Sequence, residues 1–118
     1  NEPLIIHGDG SQQRCYTYVG DVVDGIYSLI RSPKTYGEFY NIGNPKEEYS
    51  IKQLADILLQ IMDNKNYPIE YTSRNIYGKS YEDPDRRVPD IKKINDAINW
   101  QQTTKLDDGL KSTLKYEL

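Results

Sequence analysis

Ser50, followed three residues later by Gln53 and then by Leu54, Ile57, Leu58 and Ile61, constrains this chain more tightly than any other feature. A serine hydroxyl there can accept the backbone N–H of the third helical residue. A glutamine at that third position can accept the serine's own N–H in return, so the pattern fixes where a helix begins. The four apolar residues recur at three- and four-residue intervals and give the helix one face to bury.

Around this helix the apolar pattern changes period repeatedly. Leu4-Ile5-Ile6 reads as a strand, Gly8-Asp9-Gly10-Ser11 as a tight loop, and Cys15 to Val19 as a second strand. Val22, Val23, Ile26, Tyr27 and Ile30 have helical spacing, with Asp21 placed to cap the start and Pro33 to stop the end. Glu38 to Ile42 reads as a strand ended by Gly43-Asn44-Pro45, and Pro68 to Tyr71 as another. From Thr72 to Pro89 the sequence is polar and irregular. Asp90 then caps a helix carrying Ile91, Ile94, Ala97 and Ile98, which Trp100 closes. A last helix starts near Leu106, with Asp107 and Asp108 in its first turn and Lys111 and Lys115 later, the charge order that the helix dipole favours. The expected fold class is α/β: a small mixed sheet with about four helices in one domain over residues 1–118. No complete βαβαβ nucleotide-binding half is visible.

Composition removes several function classes. The net charge of −3 is spread in both signs along the chain, which is unlike a nucleic-acid footprint. No apolar run approaches the ~20 residues of a membrane span. One cysteine, Cys15, rules out an intrachain disulfide and fits a reducing, cytoplasmic location, and one histidine leaves no Cys/His metal cluster. The chain opens on Asn1 and has Met62 as its one methionine, so the expectation is a piece of a longer protein.

Two segments could carry chemistry. In Gly8-Asp9-Gly10-Ser11-Gln12-Gln13-Arg14 the glycines allow a sharp turn and close backbone approach, and Arg14 offers a planar fork suited to a diphosphate. The same residues also describe a glycine-rich hairpin turn with a solvated arginine, since the P-loop lysine and the following helix are lacking. The segment from Tyr77 to Asp90 packs Lys79, Arg86, Arg87, Tyr77 and Tyr81 among carboxylates. Arg86 or Arg87 could bind an anion with Tyr81 supplying a hydroxyl or a stacking face, or the whole could be a solvated loop of weak ion pairs. His7 and Cys15 read as packing residues.

Taken in order, three motifs resemble the extended short-chain dehydrogenases/reductases that act on nucleotide sugars, the NAD-dependent epimerase/dehydratase family. They are Gly8 to Arg14 with Tyr16, Tyr18-Val19, Asp21 and Gly25; Phe39-Tyr40-Asn41-Ile42-Gly43-Asn44-Pro45; and Asp83 to Ile91 with Trp100 and the Leu106–Leu114 helix. Within that family the likeness is greatest to UDP-glucuronate decarboxylases, with dTDP-glucose 4,6-dehydratases and UDP-sugar 4-epimerases as alternatives. A non-catalytic α/β interaction domain keeping relics of the motifs is the alternative from another class.

The resemblance implies that this is a C-terminal substrate-binding part. Gly8, Asp9, Gly10, Ser11, Gln12 and Gln13 would border the UDP-sugar, Arg14 would contact its diphosphate, and Tyr81 would touch the nucleotide-sugar. Arg87 would serve catalysis beside the sugar carboxylate or diphosphate. NAD would be held by an N-terminal Rossmann domain, because this chain has neither a GxxGxxG turn nor a Tyr-x-x-x-Lys pair. That domain would be the partner of this one, the parent a homodimer, and this fragment inactive alone.

Overall fold

Short strands alternate with helices in the order β1 (Leu4–His7), β2 (Gln13–Cys15), α1 (Val19–Ile30), β3 (Glu48–Ser50), α2 (Ile51–Ile61), β4 (Ile69–Thr72), β5 (Arg86–Arg87), α3 (Lys92–Ile98) and α4 (Leu106–Glu117), with a 3-10 turn at Pro33–Thr35. This is the α/β class with four helices, in a computed structural model that describes residues 2–74 and 84–117. The elements gather into two compact units, Asn1–Arg14 with Tyr49–Arg87 and Cys15–Glu48 with Val88–Leu118. Among the described residues no helix is long and apolar enough to cross a membrane.

In the first unit, α2 begins as its sequence requires. Ser50 Oγ accepts Gln53 N–H at 3.0 Å and Gln53 Oε1 accepts Ser50 N–H at 2.8 Å. Ser50→Ala removes one of these bonds and should lower unfolding stability by about 1 kcal/mol in a urea titration. β1 and β4 pair in parallel, with Leu4 opposite Ile69 and His7 opposite Thr72. Ile6, Ala55 and Leu59 are the buried apolar residues among the described residues of this unit. A second small sheet has the order β3-β2-β5.

The second unit is organised by a buried carboxylate. Asp21 accepts the backbone N–H groups of Thr103 (3.1 Å) and Thr104 (2.9 Å) and also both threonine hydroxyls. Trp100 Nε1 donates to the Asp21 carbonyl at 3.1 Å, and Ile94, Trp100 and Leu106 form the apolar core. At the foot of α4, Leu106 N–H donates to Glu47 Oε2.

Four expectations change here, one of them at α3, whose N-cap is Ile91 without a side-chain bond while Asp90 Oδ1 accepts Lys92 N–H from outside the helix. Asp21 does not cap α1, whose N-cap is Tyr18 without a side-chain bond. It sits inside the first turn, where its oxygens reach a segment about eighty residues away. The strand expected over Cys15 to Val19 instead occupies Gln13–Cys15: Thr17 Oγ1 turns to accept Asn44 N–H, and Val19 already starts the helix. Glu38 to Ile42 forms no ladder, because strand formers become a strand only beside a backbone that completes their hydrogen bonds. Phe39 in that segment is 90% exposed. The stripe Val23, Ile26, Tyr27 and Ile30 of α1 is also exposed, and the side it buries carries Asp21 and Gly25.

Candidate functional site

The glycine loop is built by its own polar groups. Gly8 and Gly10 have φ of 80° and 75°, a region where a side chain would strain the backbone. Gly10 is also closely packed, since a Cβ there would lie 3.2 Å from both Ile6 Cγ2 and Lys52 Cβ. Between the glycines, Asp9 Oδ1 accepts Ser11 N–H at 2.9 Å and Ser11 Oγ–H at 2.6 Å. These bonds stabilise the ionised form and hold the Asp9 carboxyl below the usual aspartate range. A group so shifted adds stability above its unfolded pKa and loses it as pH falls through the lower folded value. Ser11→Ala should therefore raise the Asp9 titration midpoint in an NMR pH series.

Buried Gln12 donates from Nε2 to the His7 carbonyl, and His7 Nδ1 lies 2.7 Å from Thr72 Oγ1. Half-buried His7 thus links β1 to β4 through its side chain. The N-terminal amides of α2 are engaged by the same loop: Ile51 N–H donates to Gln12 O and Lys52 N–H to Gly10 O. A phosphate cradle at that helix start would have to break these bonds. The loop enters β2 rather than a helix, so the described residues do not fit a dinucleotide turn.

What the fold brings together is the arginines. β2 pairs in parallel with β5, Gln13 opposite Arg86 and Arg14 opposite Arg87. Residues in register share a face of the sheet, and neighbouring strands lie ~4.8 Å apart, so Arg14 and Arg87 stand side by side. Arg14 Nη1 donates to the Gln13 carbonyl at 2.7 Å, while Arg87 is exposed. Like charges placed opposite each other in a ladder repel. An anion between the two guanidinium groups removes that repulsion and gains charge-assisted hydrogen bonds.

Tyr81, and with it the Tyr77-to-Asp83 stretch of the second segment, lies outside the described residues. Sequence reasoning missed Arg74, whose Nη1 bonds Asp85 Oδ1 at 2.8 Å. An arginine and an aspartate at the two ends of an irregular stretch were the available signal. Among the described residues no group of three or more His, Cys, Asp or Glu side chains could hold a metal ion.

Comparison with known proteins identifies the family of the chain. Residues 1–113 match the model of the family described as GDP-mannose 4,6 dehydratase. The chain is 32% identical to the UDP-D-apiose/UDP-D-xylose synthase of Oryza sativa subsp. japonica, over 98% of this chain and 31% of the synthase. It is 33% identical to UDP-glucuronic acid decarboxylase 1 of Danio rerio, over 98% of this chain and 25% of that enzyme. The solved UDP-glucuronic acid 4-epimerase of Bacillus cereus, in complex with UDP-glucuronic acid and NAD, superposes with a TM-score of 0.84 at 30% identity over 98% of this chain and 35% of the epimerase. The chain spans about a third or less of the length of these relatives. The relatives it matches are nucleotide-sugar decarboxylases, epimerases and dehydratases, and the chain belongs to the GDP-mannose 4,6 dehydratase family, of the extended short-chain dehydrogenase/reductase type.

Proposed function

We propose that this chain is the UDP-sugar-binding part of an NAD-dependent UDP-glucuronate decarboxylase. The observation that carries the reading is the register of β2 and β5, which sets Arg14 beside Arg87 on one face at the end of the glycine loop. That pair suits a diphosphate, with Arg87 also able to orient a sugar carboxylate. A guanidinium with a pKa above ~12 stays protonated, so Arg87 acts by holding charge rather than by giving up its proton. Gly8 to Gln13 border the ligand and shape the turn. Ionised Asp9 keeps the phosphates on the arginine side.

NAD is assigned to the remainder of the protein, since the described residues lack a turn that would hold it. That remainder is also the proposed partner. The stripe of Val19, Val23, Ile26, Tyr27 and Ile30 on α1 is exposed, and Phe39 of the same unit is 90% exposed, apolar surface of the kind that another body covers. Two-thirds or more of each relative lies outside the matched region, and the covering surface is assigned to the corresponding part of this protein. The chain alone is accordingly proposed to be inactive.

A second reading, a UDP-glucuronate 4-epimerase, is favoured by the similarity to the Bacillus cereus enzyme. Incubating the full-length protein with UDP-glucuronate and NAD separates the two. Release of CO₂ with a UDP-pentose product is expected; a UDP-hexuronate epimer without CO₂ would select the second reading, and no turnover of UDP-glucuronate would contradict both.

A further inference from the structure

The strand that carries Arg87 is only two residues long, Arg86–Arg87, so its own ladder bonds hold it weakly. The residue before it, Asp85, is tied down twice. Its carbonyl accepts Gln13 N–H at 2.7 Å, which sets the first rung against β2. Its carboxylate accepts Arg74 Nη1 at 2.8 Å. Arg74 in turn lies against the glycine loop: a Cβ built on Gly8 would stand 3.4 Å from Arg74 Cδ, and the Arg74 charge contributes to lowering the Asp9 pKa. The Arg74 side chain therefore touches the loop at one end and the root of β5 at the other.

We propose that Arg74 is a positioning residue that acts through Asp85, holding β5 in the register that sets Arg87 opposite Arg14. The inference rests on the reading of that pair as a diphosphate site and adds to it a residue that itself makes no ligand contact. The Arg74 side chain is 31% exposed and that of Asp85 88%, so the pair is partly screened and its effect is moderate rather than absolute.

UDP titrated into the full-length protein tests this. Arg74→Ala and Asp85→Asn should each raise the UDP Kd about three- to five-fold, the scale of a partly exposed ion pair. The double variant should be no worse than either single one, because both remove the same contact. Arg74→Lys, which can still pair with Asp85, should bind UDP nearly as the wild type does. Asp85→Asn is nearly isosteric and keeps the test available if Arg74→Ala reduces the folded yield.

Loss of affinity in Arg74→Ala with wild-type or tighter binding in Asp85→Asn would overturn the proposal, since Arg74 would then be acting directly on the ligand. Wild-type binding in both variants would overturn it too. Arg14→Ala and Arg87→Ala, run in parallel, locate the failure. Weak binding in those two confines it to Arg74, whereas wild-type binding in all four removes the diphosphate site itself.

Discussion

Trp100→Ala is expected to lower the unfolding free energy by about 3–5 kcal/mol, much of the 5–15 kcal/mol by which domains are ordinarily stable. The indole is only 6% exposed and fills the space beside α1, where a Cβ on Gly25 would approach its Nε1 to 2.9 Å. Truncation leaves a cavity there that the helix can close only by moving. It also removes the Nε1–H bond to the Asp21 carbonyl, next to the carboxylate that holds Thr103 and Thr104. Trp100→Phe keeps most of the ring and should cost less, about 1–2 kcal/mol for the lost hydrogen bond and some volume. Trp100→Ala and Asp21→Ala combined should fall short of the sum of the two, because each loosens the packing of the Trp100–Thr104 segment on α1 through different bonds of that one segment. Circular dichroism in urea is the suitable measurement, since Trp100 is the only tryptophan of the sequence and its loss would silence that fluorescence.

The second large effect concerns the ligand. Arg14→Ala and Arg87→Ala should each weaken UDP binding by roughly 10- to 100-fold, the range of a charge-assisted hydrogen bond lost from a phosphate. Lysine should restore only part of it at Arg87, because an ammonium cannot reproduce the two-pronged contact of a guanidinium. Affinity should fall with added salt in the wild type and less steeply in either variant. Thr113→Ala, whose hydroxyl donates to the Gly109 carbonyl within α4, serves as the contrast and should change UDP affinity less than two-fold, roughly the scale of a neutral surface substitution. Calorimetric titration at two ionic strengths checks all of these.

What could be read from the sequence follows the distance between partners. The start of α2 was legible because Ser50 and Gln53 are three residues apart and satisfy each other. The apolar spacing of α1 was legible as a helix, but not which side it buries. That side is decided by Trp100, Thr103 and Thr104, roughly eighty residues further on. Asp21 therefore read as a cap, the commonest local use of an aspartate before a helical pattern, when its bonds are long-range. Glu38 to Ile42 had the residues of a strand, yet a strand needs a neighbour that no local pattern reveals. β5 was invisible for the opposite reason. Two arginines have no apolar alternation, and only the pairing with Gln13 and Arg14 makes them a strand. Arg14 and Arg87 could each be singled out from their motifs; their adjacency could not.

The most direct test of the diphosphate site is a crystal structure of the full-length protein with UDP bound. The account requires diphosphate oxygens within about 3 Å of guanidinium nitrogens of both Arg14 and Arg87, on the shared face of β2 and β5. UDP bound with its phosphates on the α2 N-terminus, or away from both arginines, would contradict it.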